Sequence, residues 1–325
     1  MRYSPPSFNR LKDMASIDVG RLSEGEALAI LERLRWPHGV VCPHCDSRKV
    51  TRINSSRSKA RDGLFQCNGC KGQFTVMVGT VMEGSHITYR QWVQAFHSMC
   101  SHKKGVSALQ LQRNLGLGSY RSAWYLAHRI RMAMNEGPLA KALKGTVEAD
   151  ETYIGGKPRK GGGGAGAPKT KRGRGTRKTP VLLLVERDGR ARSKPVERVN
   201  ARTLKGAIMG SVHASSRIMT DELASYSGIG ASFAGGHATV SHGRGEYSRG
   251  ENHEINTNTA ESYFALLKRG IHGTFHHVSK RHLPLYCDEF SFRWTHRKKS
   301  DGEKTEIAIR GIVGKKTISL SPHKH

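Results

Sequence analysis

The segment Val147-Glu148-Ala149-Asp150-Glu151-Thr152-Tyr153 places acidic side chains inside a run that is otherwise typical of a β-strand. Side chains of a strand alternate between its two faces, so Glu148, Asp150 and Thr152 would share one face. The whole chain has 325 residues, with 54 Lys and Arg against 26 Asp and Glu, and therefore a formal charge of +28. Acidic residues in a strand of so basic a chain indicate a specific chemical role.

Two other carboxylates stand near the ends of elements in the same region. Ile218-Met219-Thr220-Asp221 is typical of a strand that terminates in an acid, and Glu261 lies near the start of a helical pattern over residues 259–272. Three such carboxylates can hold two Mg²⁺ ions about 3.5–4 Å apart, which suits phosphodiester chemistry. Lys268 follows Glu261 by nearly two helical turns, so it would share that face and reach a DNA phosphate. The alternative is that each acid only solubilises a strand edge, caps a turn or complements a helix dipole.

The charge and hydropathy of the chain limit its partners. A charge of +28 favours an anionic partner, either nucleic acid or an anionic membrane. The longest aliphatic run, residues 181–185, is far shorter than the roughly 20 residues that span a bilayer. The N-terminus has no apolar core typical of a signal peptide, and six cysteines are too few for a secreted disulfide scaffold. The composition therefore predicts an intracellular protein that associates with nucleic acid and not with a membrane.

Four of the six cysteines form two CxxC pairs, Cys42-Pro43-His44-Cys45 and Cys67-Asn68-Gly69-Cys70. Two thiolates three positions apart can bind one metal ion from a tight turn, and two such turns complete a tetrahedral site. We expect a structural Zn²⁺ held by Cys42, Cys45, Cys67 and Cys70 in a zinc ribbon over residues 39–80. The alternative is a set of redox pairs or unlinked thiols, and His44 could also replace one cysteine as a ligand.

The region after the ribbon, residues 81–142, has the parts of a helix-turn-helix. A helical pattern over residues 107–115 is followed by a Gly-containing turn and a second, basic helix over residues 119–134. The second helix of such a motif can enter the DNA major groove. The apolar face would turn inward, so we expect Arg121, His128 and Arg131 to lie near DNA. An ordinary helical hairpin with a solvated basic face is the alternative.

A low-complexity basic loop, residues 156–179, follows the acidic strand. Nine of its 22 residues between positions 157 and 178 are Lys or Arg, and none is acidic. We expect a flexible loop that contacts the DNA backbone, although a merely solvated linker is the alternative. Its candidate DNA-binding residues are Lys157, Arg159, Lys160, Lys171, Arg172 and Arg174.

The order of the elements predicts a multidomain α+β protein. An N-terminal helical segment (1–38) precedes the ribbon and the helix-turn-helix region. An α/β domain with a mixed sheet flanked by helices follows over residues 143–300, because strand patterns at 145–153, 180–187, 191–199 and 217–221 precede helical patterns at 259–272 and 279–296. Residues 301–325 are expected to be a C-terminal tail.

Three segments resemble the zinc-ribbon DDE transposases of bacterial insertion sequences. They are the acidic strand continued through Gly155-Gly156-Lys157, the stretch from Asn256 to Gly270, and Tyr286-Cys287-Asp288-Glu289-Phe290-Ser291-Phe292-Arg293-Trp294. The resemblance implies an RNase H-like catalytic domain, Mg²⁺ or Mn²⁺ as cofactor, and metal-ligand roles for Asp150, Asp221 and Glu261. Some relatives carry an Asn in place of the third acid, so Asn258, one turn before Glu261, is an alternative third ligand.

The resemblance also implies a function. A transposase of this family would bind the terminal inverted repeats of its element, cleave the DNA ends with two metal ions, and join them to target DNA. Because two ends react, a homodimer or a larger synaptic assembly is expected, in the cytoplasm and associated with the nucleoid. Two alternatives are a zinc-dependent DNA-binding regulator with a catalytically silent α/β domain, and a two-metal nuclease that cuts without joining.

Overall fold

The computed structural model describes residues 11–53, 61–137, 141–156, 176 and 178–315. Its elements divide into two compact units: residues 1–135 with 298–325, and residues 136–297. In chain order the helices and strands are α1 (Ser16–Arg21), α2 (Glu24–Arg35), β1 (Val50–Arg52), β2 (Phe65–Cys67), β3 (Gln73–Phe74), α3 (Tyr89–Ser101), α4 (Ala108–Leu115), α5 (Tyr120–Met134), β4 (Thr146–Ile154), β5 (Thr179–Glu186), β6 (Ala191–Pro195), α6 (Ala201–Met209), β7 (Arg217–Asp221), β8 (His237–Val240), β9 (Ser248–Arg249), β10 (Ile255–Asn256), α7 (Asn258–Gly270), α8 (Leu283–Thr295) and α9 (Asp301–Arg310).

Helix α2 lies within the N-terminal helical segment that the sequence predicts. Ser23 caps α2, since its hydroxyl accepts a hydrogen bond from the amide of Glu26 at 3.3 Å while the Glu26 carboxylate accepts from the Ser23 amide at 2.8 Å. This reciprocal pair satisfies two of the donors that a helix start leaves open. One face of the helix, which includes Ala27, Leu28 and Leu31, is buried.

The C-terminal segment departs from the prediction. Residues 301–310 form helix α9, which begins at a capping box of Ser300 and Glu303 and packs against α2, α3, α5 and the 3-10 turn Leu11–Asp13. The expectation of a tail is therefore wrong for these residues, because Thr305, Ala308 and Ile309 bury an apolar face inside unit one. Residues 316–325 lie outside the described part of the chain.

The ribbon is a small antiparallel sheet. Strand β2 pairs with β1 through Val50↔Cys67 and with β3 through Phe65↔Phe74. Its core combines Cys42 and Cys67 with the rings of Phe65 and Phe74. Downstream, Gly116 ends α4 with a positive φ of 62° before α5 starts, which is the short glycine turn that the sequence predicts.

Unit two is built on a five-stranded sheet in the order β6-β5-β4-β7-β8. Strand β5 is antiparallel to its neighbours β4 and β6, whereas β4, β7 and β8 run parallel to one another. Helix α6 packs on one face of the sheet with Val147, Ala149 and Ile218. Helices α7 and α8 cover the other face, where Leu183 and Val185 contribute to the core. The mixed sheet flanked by helices, and hence the α+β class, is confirmed.

Within the described part of the chain, no helix is both long enough and apolar enough to cross a bilayer.

Candidate functional site

The parallel pairing of β4 with β7 brings two of the predicted acids to the same level of the sheet. Glu148 is in register with Met219. Asp150 and Asp221 each follow two residues later, and Asp221 is the last residue of β7. Because side chains two positions apart point to the same face, both acids face the layer that contains α7.

Helix α7 supplies the third acid. Its buried residues Ala260, Tyr263 and Phe264 pack on the sheet, and Glu261 stands on the exposed side of the first turn. Burial raises the pKa of Asp150 to about 7, and repulsion from the carboxylates of Glu151, Asp221 and Glu261, in that order, adds to the rise. The three acids therefore form one electrostatically coupled cluster, and their carboxylate oxygens are ligands that Mg²⁺ and Mn²⁺ favour.

The cluster is looser than a closed metal cage. Among the described residues, only the four cysteines gather three or more potential ligand side chains within 4.8 Å, so the three acids do not converge to that extent. Local hydrogen bonds account for part of this arrangement. One oxygen of Asp150 accepts from the amide of Glu151 at 2.7 Å, and one oxygen of Asp221 accepts from the amide of Leu223 at 3.1 Å. Within the described part of the chain, the second oxygen of each carboxylate accepts no hydrogen bond.

The other predicted residues of the site lie on the same helix. Asn258 is the first residue of α7, exposed, with its amide donating to the side-chain oxygen of Asn256 at 3.2 Å. Lys268 is exposed and its ammonium lies 6.0 Å from the ring centre of Phe264. Because α-helical residues seven positions apart lie on similar faces, Lys268 projects from the same side of α7 as Glu261.

Sequence reasoning missed the role of Glu148. This residue is completely buried, and its carboxylate accepts hydrogen bonds from Arg187 Nε at 2.8 Å and from the amide of Ala260 at 2.9 Å. The alternation of β4 places Glu148 on the same face as Asp150, and this position is the sequence feature that could have indicated its role in the site. Arg187 gave no signal, because its partners lie far away in the sequence.

A second missed contact involves the acid next to Asp150. The hydroxyl of Tyr226, in the 3-10 turn Ala224–Tyr226 after β7, donates to Glu151 Oε2 at 2.8 Å. Tyr226 is fully buried, and burial together with the charge of Glu151 raises its pKa. The tyrosine therefore stays a neutral donor and fixes the side chain that follows Asp150.

The four ribbon cysteines do converge. Cys42 Sγ lies 3.7 Å from Cys70 Sγ, and Cys45 Sγ lies 3.6 Å from Cys67 Sγ. These spacings suit four thiolates around one tetrahedral ion, and hydrogen bonds led by the Cys70 amide lower the pKa of Cys67 to about 6. His44 instead packs edge-on against Phe74, with ring centres 6.3 Å apart. The arrangement fits a structural Zn²⁺.

Two of the three DNA-facing residues predicted on α5 are not at the surface. Arg121 is exposed, but His128 and Arg131 are 1% and 2% exposed. The His128 ring stacks on Trp124 at 3.8 Å, and Arg131 Nη1 lies 3.4 Å from His128 Nδ1. The expectation that these two residues face DNA is therefore wrong, because α5 packs against α3, α4 and α9 and buries more than one face.

The candidate DNA-binding residues of the basic loop lie outside the described residues; they are Lys157, Arg159, Lys160, Lys171, Arg172 and Arg174.

The four cysteines and the three acids each lie in a segment that matches a known protein family. Residues 22–73 match the transposase zinc-ribbon domain, and residues 142–295 match the ISXO2-like transposase domain. An uncharacterized protein in transposable element ISH50 of Halobacterium salinarum is 29% identical over 281 residues, which cover 84% of this chain and 91% of that protein. No solved structure matches.

A cysteine ribbon joined to a mixed sheet with an acidic cluster defines the class of zinc-ribbon DDE transposases. Within that class, the two matched domains show that this chain belongs to the IS1595 family of insertion-sequence transposases. The family implies that the chain binds DNA.

Proposed function

We propose that this protein is an active transposase that cleaves the ends of its element and joins them to target DNA. The observation that carries the proposal is that β4 and β7 place Asp150 and Asp221 at one level of the sheet, where the charge of Glu261 on α7 also acts on Asp150. Such a cluster is costly in the absence of cations, because the burial and mutual repulsion that raise the pKa of Asp150 oppose its ionisation.

Asp150, Asp221 and Glu261 would hold two divalent ions, Mg²⁺ or Mn²⁺, and Asn258 is the alternative to Glu261. Ions bound there would supply an activated water or 3′-hydroxyl and stabilise the leaving oxygen of the phosphodiester. Lys268, two turns along the same face of α7, would contact a phosphate of the reacting strand and orient it. Both strand acids keep one oxygen out of local hydrogen bonds, which is consistent with these roles.

The ribbon and the helices of unit one would recognise the terminal inverted repeats. Arg121 is suitably placed for this, being exposed in the first turn of α5 after the glycine turn. The basic loop with Lys157, Arg159, Lys160, Lys171, Arg172 and Arg174 would contact DNA phosphates near the acidic cluster, since it continues directly from the strand that bears Asp150.

Reaction at two DNA ends requires two active sites, and we therefore propose a homodimer or a larger synaptic assembly. The protein would work on DNA in the cytoplasm, associated with the nucleoid. The basis of this proposal is the chemistry of transposition in the family, in which two DNA ends react together.

The proposal is tested by strand transfer with the purified full-length protein in Mg²⁺. The substrates are labelled duplex ends from the DNA that flanks its own gene, together with a supercoiled target plasmid. We expect joined products that are lost in Asp150→Asn, Asp221→Asn and Glu261→Gln. Glu197→Gln, which changes an exposed carboxylate between β6 and α6, is the matched control and should keep full activity.

Other outcomes separate the alternatives. Cleaved ends without joined product would indicate a two-metal nuclease. Tight, zinc-dependent DNA binding with neither product would indicate a regulator with a silent α/β domain. If Glu261→Gln is active while Asn258→Ala is inactive, the third ligand is Asn258.

A further inference from the structure

An ion pair between the buried Glu148 and the half-buried Arg187 links the three elements that carry the acidic cluster. Glu148 in β4 is 0% exposed, and its partner Arg187 follows β5 directly. A buried carboxylate costs several kcal/mol in lost hydration, and a pair of this kind is often no more stable than an apolar replacement. Stability alone therefore does not explain why Glu148 and its partner lie two residues before Asp150, and we looked to the site for their role.

Glu148 performs the task of a helix cap from a distant strand. The amide of Ala260, the third residue of α7, donates to Glu148 Oε2 at 2.9 Å. That amide is usually satisfied by the side chain of the N-cap residue. Here the N-cap residue Thr257 makes no such side-chain bond. The orientation of the first turn, and with it Glu261, thus depends on a carboxylate 112 residues earlier.

Arg187 secures the segment that leads into α7. Its Nη1 donates to the carbonyl of Glu254 and its Nη2 to the carbonyl of Asn256 at 2.9 Å. The same Nη2 lies 2.9 Å from Met219 Sδ, two residues before Asp221. One guanidinium therefore contacts β4 through Glu148, β7 through Met219, and the approach to α7.

We propose that Glu148 and Arg187 are a positioning pair that sets the first turn of α7 relative to β4 and β7, so that Glu261 reaches the metal ions held by Asp150 and Asp221. Glu148 is not itself a metal ligand, because both of its oxygens accept hydrogen bonds within the fold. The inference rests on the function proposed above.

Mn²⁺ binding to the full-length protein provides the first test, measured from the electron paramagnetic resonance signal of the free ion. Glu148→Gln can no longer accept from both Arg187 and Ala260, so we expect Mn²⁺ affinity to fall about 10- to 100-fold. The double variant Glu148→Met/Arg187→Met removes both charges and fills the space with apolar atoms. It should recover thermal stability without recovering affinity.

A second Glu–Arg pair in the same unit, buried on both sides, serves as the control. Glu289 and Arg293, 2.6 Å apart, are 0% and 6% exposed and lie within helix α8 of the same unit. Glu289→Gln and the double Met variant of this pair should change stability but leave Mn²⁺ affinity within about twofold of wild type, since α8 carries no acid of the cluster. Wild-type affinity in a stable Glu148→Met/Arg187→Met protein would overturn the proposal.

Hydrogen exchange provides a readout that needs no metal. In Glu148→Gln, amides of residues 254–265 should exchange at least tenfold faster than in Glu289→Gln when the two variants are compared at equal distance below their melting temperatures. Unchanged exchange there would also overturn the proposal. If the double Met variant does not fold, the Mn²⁺ affinity and the hydrogen exchange of Glu148→Gln together test the proposal. If wild type shows no Mn²⁺ binding that depends on Asp150, the proposed function fails, and exchange alone decides the positioning role.

Discussion

The hydroxyl of Tyr226 donates a 2.8 Å hydrogen bond to the carboxylate of Glu151, 75 residues earlier in the chain. The bond joins strand β4, which contains Asp150, to the 3-10 turn that follows Asp221 at the end of β7. It lies on the side of the sheet opposite α7. Two anchors on two faces thus hold the acidic strand, Tyr226 on one and the Glu148–Arg187 pair on the other.

Replacing Tyr226 with Phe should destabilise unit two. Hydrogen bonds to charged groups contribute about 1.5–3 kcal/mol, and Phe removes the donor that the buried Tyr226 supplies to the half-buried Glu151. We therefore expect the free energy of unfolding from urea titration to fall by about that amount. Tyr247→Phe, at a tyrosine that is 66% exposed, is the control and should change it by less than about 0.5 kcal/mol. Equal effects of the two substitutions would contradict the anchoring role of Tyr226.

The stability of the metal-free protein should depend on pH through Asp150. Burial, together with repulsion from neighbouring acids, raises the pKa of this carboxyl to about 7, whereas an unfolded Asp titrates near about 3.9. The folded state therefore holds this proton more tightly, and the stability contributed by Asp150 falls as the pH rises from about 4 to about 7.

Asp150→Asn should consequently stabilise the protein dialysed free of Mg²⁺ and Mn²⁺ with its Zn²⁺ kept, by an amount that grows over that pH range and then levels off. One pKa unit corresponds to about 1.4 kcal/mol, and partial solvent exposure reduces the effect, so we expect on the order of 1–3 kcal/mol at pH 8. Thermal melts between pH 4 and 8 measure it, with Glu197→Gln as the reference. Adding Mg²⁺ should stabilise wild type more than the Asn variant. A pH-independent effect of Asp150→Asn would refute the coupling.

The sequence indicated much of this site because its signals are local. Alternation in β4 separates Glu148 and Asp150 from Val147 and Ala149, and the structure buries the latter two against α6. The acidic end of β7 and the helix after residue 257 are equally local patterns. Their neighbouring positions in the sheet follow from the mixed topology that the order of strands and helices suggests.

The contacts that sequence reasoning missed are those between residues distant in the chain. Arg187 meets carbonyls at positions 254 and 256, and backbone carbonyls are the same in every residue type, so no pattern marks them. His128 and Arg131 were expected at the surface because the helix has an obvious apolar face without them. The packing of α9 onto α5 could not be read from the residues of α5 alone.

Loss of zinc should unfold the ribbon and leave unit two intact. The wild-type protein should bind one Zn²⁺ per chain, and Cys67→Ser should bind none tightly, because Cys67 is a buried thiol whose lowered pKa favours the thiolate that zinc requires. Cys100→Ala, at a buried cysteine in α3, should keep the ion. Zinc content by spectrophotometric titration measures the stoichiometry. Retention of zinc in Cys67→Ser would contradict the four-thiolate site.

The seating of α9 in unit one can be tested with two helical glycines. Gly302 is buried in the first turn of α9, and a Cβ there would collide with the carbonyl oxygen of Leu11 and the backbone of Lys12. Gly302→Ala should therefore destabilise unit one by about 1–3 kcal/mol, although alanine is the better helix former. Gly206, exposed in α6, would give a Cβ no neighbour within 4 Å, so Gly206→Ala should stabilise unit two by about 0.5–1 kcal/mol. Urea unfolding followed by hydrogen exchange of each unit distinguishes the two effects. If Gly302→Ala also stabilises, then α9 does not lie against the turn at Leu11–Asp13, and residues 301–310 are a tail after all.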